Sequence, residues 1–537
     1  MESVASLIVS RLRGAGVSAL FGMPGGGSNL DLIEAARQAG LPFVLTATET
    51  GGALAATAQA EIAGRPGACL TTLGPGVASV VNGVACAHLD RAPLVVLTDN
   101  HPAAACGTFA HQRLDHQALL APVTTFSATI APDNAGDVVD RAIACAIAPP
   151  PGPVHLDLAA DVAGQEAARA FQARDGGPER AALQLSTDDR RLLTAARRPL
   201  ILVGLAARRV VDAAAIRSLC ERHSLPAMVT YKAKGVVPDT SPHFAGVFTH
   251  AAIEQPILDQ ADLLIGVGLD PVELLPRPWK RAQPIVHCGP WSVEDRHVPF
   301  AAQLVGDVPA ALAHIEHALS RSTWDLDAVG RAVAAQREAI SPAGETLSAH
   351  RVVHIAAGAA ATVARVTVDA GAHMLPATML WPVSEPNQML ISNGLSTMGF
   401  ALPAAIGAAL LHTRPAAHHN TPVVALTGDG GLLMCAGELL TAVREQLRVI
   451  TIVFNDRSLT LIDLKQRQRQ YASVGVTLGD VAWASVADSF GMPAHVAVTE
   501  RDLDRALARA LDHQGPSLID ARIDPSTYPH TLRAVRG

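Results

Sequence analysis

The chain has 537 residues, 49% hydrophobic and 17% charged, with a formal net charge of -7 and a pI near 6.3. This composition excludes a disordered chain and a strongly basic surface for nucleic acid or acidic membrane, and the length suits about three domains of roughly 150 residues each. Cysteines 69, 86, 106, 145, 220, 288 and 435 show no CxxC spacing, which argues against a zinc site or disulfide framework and fits a reducing cytosol.

Val4, Leu7, Ile8 and Leu12 fit an amphipathic helix rather than a signal peptide. No segment approaches the ~20 apolar residues of a membrane span, so a cytoplasmic protein is expected. Val17 to Gly22 reads as a strand running into Met23-Pro24-Gly25-Gly26-Gly27, and Asp31 to Gln38 as a helix. Pro42 to Thr46 is a strand ending just before Glu49, and Gly51-Gly52-Ala53 opens a small-residue helix through Ile62. Ala68 to Thr72 reads as a strand, Gly74-Pro75-Gly76 as a turn, Ala78 to His88 as a helix, and Pro93 to Thr98 and Val154 to Leu158 as strands. Strands separated by helices imply a parallel sheet covered on both faces.

From Gly164 to Ser186 the pattern lapses into a linker. A second α/β unit starts at Pro199 to Gly204, with strands at Ala227 to Thr230, Leu263 to Gly268 and Ile285 to His287. Another lapse, near Gln336 to Thr346, leads into a third unit. The expected fold is α/β: three consecutive doubly wound parallel-sheet domains, at 1–165, 187–330 and 350–537.

The third unit holds the most specific stretch. Val423-Val424-Ala425-Leu426 is a strand that turns at Thr427-Gly428-Asp429-Gly430-Gly431 into a helix with Leu439, Leu440, Val443 and Leu447 on one face. A second strand, Val449 to Phe454, ends at Asn455-Asp456-Arg457-Ser458. In such a βαβ unit both polar clusters lie at strand C-terminal ends, where open α/β sheets bind ligands. Gly428, Gly430 and Gly431 allow a phosphate close approach to the backbone, a helix N-terminus favours the anion, and Asp429 and Asp456 offer hard oxygen ligands suited to Mg²⁺. In the first unit, Glu49 follows an apolar strand among small residues. It is either a desolvated carboxyl able to hold a proton or a solvated helix-start glutamate.

Several ordered segments carry a family resemblance. They are Phe21-Gly22-Met23-Pro24-Gly25-Gly26, Glu49-Thr50-Gly51-Gly52-Ala53, Gly74-Pro75-Gly76 with Asn82-Gly83, Gly394 to Gly399, Leu402-Pro403-Ala404-Ala405, and the GDG to Asn-Asp stretch. Across essentially the whole chain these resemble the acetolactate synthase branch of thiamine diphosphate (ThDP)-dependent decarboxylases and carboligases. The resemblance implies pyrimidine-binding, middle Rossmann-like and diphosphate-binding domains, in that order. It also implies ThDP and Mg²⁺ as cofactors, a small 2-oxo acid as substrate, and a homodimer or homotetramer with each site shared between subunits.

Carried over position by position, Glu49 matches the glutamate that bonds N1′ of the aminopyrimidine, and Gln112 a glutamine on the substrate side, with His111 as the alternative contact there. Pro24 and Asn82 fall in cofactor-binding segments. Met398 matches the apolar wedge under ThDP, and the Ser396 carbonyl, usually glycine's, the acceptor for the 4′-amino group. Asp429, Asp456 and the Ser458 carbonyl match the metal ligands. Asp456 stands where most relatives have asparagine, and Thr48 where histidine is more usual. Lys465-Gln466-Arg467-Gln468 replaces a common Gln-Trp; Lys465 or Arg467 either pairs with an anionic substrate or is a solvated helix charge. Gly266-Val267-Gly268-Leu269-Asp270-Pro271 replaces the Arg-rich segment of flavin-binding relatives, so FAD is not expected. Non-oxidative decarboxylation with carboligation is the expected reaction. The alternatives are aldehyde release, a pyruvate oxidase-like flavoenzyme and a catalytically silent ThDP-binding homologue.

Overall fold

Short apolar runs bounded by glycine and proline form strands here because helices cover each sheet on both faces. The computed structural model describes residues 2–537 apart from 103, 104, 106, 107, 109, 169–183, 295–297, 361–364 and 413–420. The linker expected at 164–186 therefore lies largely outside the described residues.

Strands β1 (Leu20–Met23), β2 (Phe43–Leu45), β3 (Gly67–Thr71), β4 (Leu94–Asn100), β5 (Phe126–Ile130) and β6 (Pro153–Ala159) form a parallel sheet in the order β2-β1-β3-β4-β6-β5. The middle sheet contains β7 (Pro199–Val203), β8 (Ala227–Val229), β9 (Phe244–Val247), β10 (Leu263–Val267), β11 (Ile285–Gly289) and β12 (Phe300–Val305). Its order is β12-β11-β10-β7-β8-β9, the arrangement of a dinucleotide-binding fold. The third sheet contains β13 (Arg365–Val368), β14 (Met389–Ile391), β15 (Val423–Gly428), β16 (Val449–Asn455), β17 (Ala494–Ala497) and β18 (Ser517–Arg522), in the order β14-β13-β15-β16-β18-β17. The chain is thus three doubly wound α/β sheets in series, and the first and third repeat one topology that no sequence period reveals.

Strands β5, β9, β12, β13, β14, β17 and β18 escape the sequence reading. β5, β9, β12, β14 and β17 are outer strands, of which β5 and β12 are partly exposed and lack an unbroken apolar run and β9 is only Phe-Ala-Gly-Val; the inner strands β13 and β18 are interrupted by polar residues. The helix expected after Gly431 is two helices, Asp429–Cys435 and Glu438–Arg444, broken at Ala436-Gly437. Leu439 is buried, but Leu440, expected on the same face, is exposed. The second lapse starts later than expected, because helix Leu326–Ala339 continues through Gln336. That side chain is buried and donates to the Ile253 carbonyl at 3.1 Å.

Of the contacts that join the domains, two lie side by side. Helix Glu49–Ala63, made largely of small residues, approaches helix Ala401–His412 so closely that a Cβ at Gly407 would sit 2.2 Å from the Ala55 carbonyl. Beside it, Lys232 of the middle domain is buried between Glu61 (2.6 Å) and Asp90 (3.1 Å) of the first and donates to the Ile391 carbonyl of the third at 2.9 Å. Asp90 also accepts the Gly394 N–H at 2.9 Å, and Arg208 lies 3.4 Å from Glu61. Burial opposes the charge on Lys232, but Asp90 and Glu61 hold its pKa above the usual lysine value.

Glu254 is buried in the middle domain; its Oε1 accepts the Thr249 N–H at 2.6 Å and hydroxyl at 2.9 Å. Burial pushes its carboxyl from 4.5 up to about 7. Between those values the folded chain holds a proton that the unfolded chain releases, so this group's contribution falls as pH rises through the interval and is level above it. Glu254→Gln is therefore expected to gain in melting temperature relative to the parent on going from about pH 5 to about pH 8. A difference that does not change with pH would refute this assignment.

Among the described residues no helix is long and apolar enough to cross a membrane.

Candidate active site

In the third sheet the chain passes from β13 to one side and from β15 to the other. Their outgoing loops therefore diverge and leave a crevice at the strand C-terminal ends. A cavity of about 270 Å³ opens there, lined by Ser396, Met398, Gly428, Asp429, Gly430, Gly431, Asp456 and Ser458 together with His373, Tyr528 and Arg536. The metal-type and wedge-type residues read from the sequence thus share one site.

The glycine turn is tight for a steric reason. A Cβ at Gly431 would meet the Asp369 carboxylate at 2.2 Å, and one at Gly430 would meet Leu459 at 2.8 Å and Met398 at 3.3 Å. Asp429 is 5% exposed; its Oδ1 accepts the Gly430 N–H at 2.7 Å and its Oδ2 the Arg457 N–H at 2.6 Å. Asp456 accepts from the Ser458 N–H at 3.1 Å and from Thr460 Oγ1 at 2.6 Å. Burial, then repulsion from Asp456, pushes Asp429 up to about 7, and burial raises Asp456 as well. Two desolvated carboxylates, one of them raised further by the other's charge, make a donor set suited to a divalent cation. Among the described residues no group of three or more His, Cys, Asp or Glu could hold a metal, so a cation at this pair would complete its shell with other oxygens, such as carbonyl, phosphate or water. The helix behind the turn is only seven residues long, which makes its dipole a smaller help to an anion than the sequence implied.

Ser396 has φ +53°, the left-handed region where glycine is unstrained and serine is not. The conformation costs about 1 kcal/mol and leaves the backbone carbonyl in a glycine-like course.

Three residues that the sequence did not single out complete this half. Asp369 follows β13 as Asp429 follows β15, and that parallel was the available signal; His373 lies four residues further on. It stacks on Phe454 at 4.9 Å, its Nε2 is buried without a partner, and burial pushes it down to about 4, so the imidazole is neutral. Asp369 accepts the N–H groups of Gly399 and Phe400, both at 3.0 Å, and the Thr427 hydroxyl at 2.8 Å. It thereby ties the loop carrying Met398 to the glycine turn. Glu438 is buried and reaches into the first domain, accepting the N–H groups of Ala47 and Thr48, both at 3.1 Å, immediately before Glu49.

Glu49 opens helix Glu49–Ala63, with Thr48 as N-cap accepting the Gly51 N–H at 2.9 Å. Glu49 is half-buried, and a Cβ at Gly76 would lie 3.2 Å from its Oε1. Gln112, at φ +55°, sets its carbonyl against the same turn, 2.4 Å from where a Gly74 Cβ would be. Pro24 precedes Gly25, whose N–H donates to Asn29 Oδ1 at 2.8 Å. Asn82 Oδ1 accepts from Thr397 Oγ1 at 2.9 Å. His111 is exposed, with its carbonyl 2.9 Å from His101 Nε2. Pro24, Glu49, Asn82 and Gln112 do not line the cavity. They belong to the first domain, none of whose described residues lines this cavity. Lys465 and Arg467 do not line it either; both are exposed, and Arg467 pairs with Asp463 at 2.7 Å.

Comparison with known proteins matches three successive stretches of the chain. Residues 2–119 match the thiamine pyrophosphate enzyme N-terminal TPP binding domain, 190–315 the central domain and 369–521 the C-terminal TPP binding domain. The chain is 31% identical to the acetolactate synthase isozyme 1 large subunit of Escherichia coli, covering 98% of this chain and 95% of that one. It is 29% identical to the acetolactate synthase of Bacillus subtilis (97% and 93% covered) and 28% identical to a probable 2-ketoarginine decarboxylase of Pseudomonas aeruginosa (96% and 93%). With a glycine turn and an aspartate pair at the switch point of its third sheet, this chain belongs to the ThDP-dependent decarboxylases and carboligases, in the branch of the acetolactate synthase large subunits.

Proposed function

We propose that the chain, with ThDP and Mg²⁺, decarboxylates a small 2-oxo acid without an external oxidant and joins the remaining carbon unit to a second carbonyl. The observation that carries this reading is the Asp429–Asp456 pair behind a glycine turn, in one cavity with Met398. Asp429, Asp456 and the Ser458 carbonyl would hold Mg²⁺ against the diphosphate, with the Gly428–Gly431 backbone and His373 beside it. Met398 would support the bent cofactor and the Ser396 carbonyl would orient its 4′-amino group. Glu49 would hold and return a proton at N1′ of the aminopyrimidine, and Gln112 would contact substrate. When bound, ThDP supplies a nucleophilic C2 and an electron sink.

The separation of Glu49 from this cavity within one chain supports a homodimer as the smallest active unit, with one copy's first domain completing the other's cavity; a homotetramer would pair two such dimers. Similarity to a probable 2-ketoarginine decarboxylase favours a second reading, in which protonation replaces ligation and an aldehyde leaves. The test is a panel of 2-oxo acids offered to the purified chain with ThDP and Mg²⁺, with CO₂ measured and products identified by mass spectrometry. A 2-hydroxyketone or acetolactate-type product is expected. Aldehyde alone would establish the second reading. ThDP binding without CO₂ from any acid would indicate a silent homologue, and flavin absorbance in the purified protein an oxidase-like enzyme.

A further inference from the structure

Helix Tyr528–Arg536 forms one side of the cavity, and both of its end residues line it. Its buried Leu532 and Val535 pack with Leu375 and Met379, which fixes the helix rotationally. The Arg536 Nε is buried without a hydrogen-bond partner, and among the described residues no carboxylate lies within ion-pair distance of its guanidinium. Arg536 is half-buried; burying its Nε–H without a partner is costly, so a guanidinium placed this way at the cavity edge marks a place for an anion. Stabilisation of the helix C-terminus is not a sufficient explanation, because Arg533 occupies the same last turn with an exposed side chain. The cavity's other charges are Asp429 and Asp456, and His373 is neutral. Two carboxylates against one guanidinium become net positive once a divalent cation binds.

We propose that Arg536 is an anion-binding residue of this cavity, its guanidinium pairing with an anionic oxygen group that is either the diphosphate of the cofactor or the carboxylate of the 2-oxo acid. Guanidinium suits both, since its planar fork bonds two oxygens at once. This assignment rests on the reading of the cavity as the cofactor site. It also moves the expected positive charge from Lys465 and Arg467, which are exposed, to a residue that faces the cavity.

The test uses the full chain and its Arg536→Gln, Arg536→Lys and Arg533→Gln variants. ThDP affinity with Mg²⁺ is measured by calorimetry, and KM for the 2-oxo acid found in the panel is measured at saturating ThDP. Arg536→Gln is expected to weaken one of the two by roughly tenfold or more, the worth of a hydrogen bond to a charged group, with partial recovery in Arg536→Lys and no change in Arg533→Gln. Weaker ThDP binding with an unchanged KM assigns the diphosphate; the reverse assigns the carboxylate. Arg536→Gln indistinguishable from the parent in both would overturn the proposal while leaving the cofactor site intact. A parent chain that binds no ThDP would overturn the cofactor site and the proposal together.

Discussion

Glu49→Gln is expected to lower turnover by about 10²- to 10⁴-fold, the usual worth of a positioned acid–base group, while ThDP affinity and melting temperature stay near those of the parent. The amide keeps the shape and one hydrogen bond but cannot carry the proton. Its position should be undisturbed, because Thr48 caps the helix and Glu438 holds the Ala47 and Thr48 N–H groups without help from the Glu49 side chain. The measurement is CO₂ release at saturating ThDP and Mg²⁺. Turnover equal to the parent would sink the proposed proton role, and a large fall in melting temperature would make Glu49 a structural residue instead.

The second large effect is expected at the carboxylate pair. Asp429→Ala removes a proposed ligand and leaves the Arg457 N–H without its acceptor. ThDP and Mg²⁺ affinity should fall by more than about 100-fold, the upper range for losing even an indirect metal partner. Asp456→Asn should behave differently. A carboxamide oxygen is still a hard donor, and removing one charge relieves the repulsion that helps hold Asp429 near neutrality. Calorimetric titration of both variants with Mg²⁺ and ThDP separates these outcomes. Loss of binding in Asp456→Asn as complete as in Asp429→Ala would mean that charge at position 456, rather than an oxygen donor, holds the metal.

Much of this site was legible in the sequence because its residues lie beside the punctuation of the chain. Gly428 to Gly431 and Asp456 lie at or just after apolar strand ends, and Glu49 a few residues beyond β2, so strand ends located them. Met398 and Ser396 carried no such signal and depended on family resemblance. Asp369, Glu438 and Arg536 were not legible. Their roles depend on partners far along the chain: Glu438 meets Ala47 across 391 residues, and a single sequence has no register for such distances. The fold shows the same limit. Strands that are continuous apolar runs, such as β15 and β16, stood out, whereas partly exposed outer strands such as β5 and inner strands broken by polar residues such as β18 did not.

The buried cluster of Lys232 with Glu61 and Asp90 bears on how such a chain can change over time. Three α/β units in series look like modules that recombination could exchange. Here the ammonium sits on one unit, its two carboxylates on another, and a carbonyl and an N–H that complete the cluster on the third. A chimera carrying a foreign middle unit without a lysine at that point would inherit two unneutralised acids in a dry interior, a loss of about 3–5 kcal/mol for a broken buried pair. The units can be shuffled only as a matched set, so these charges act as a compatibility lock between segments that otherwise look interchangeable.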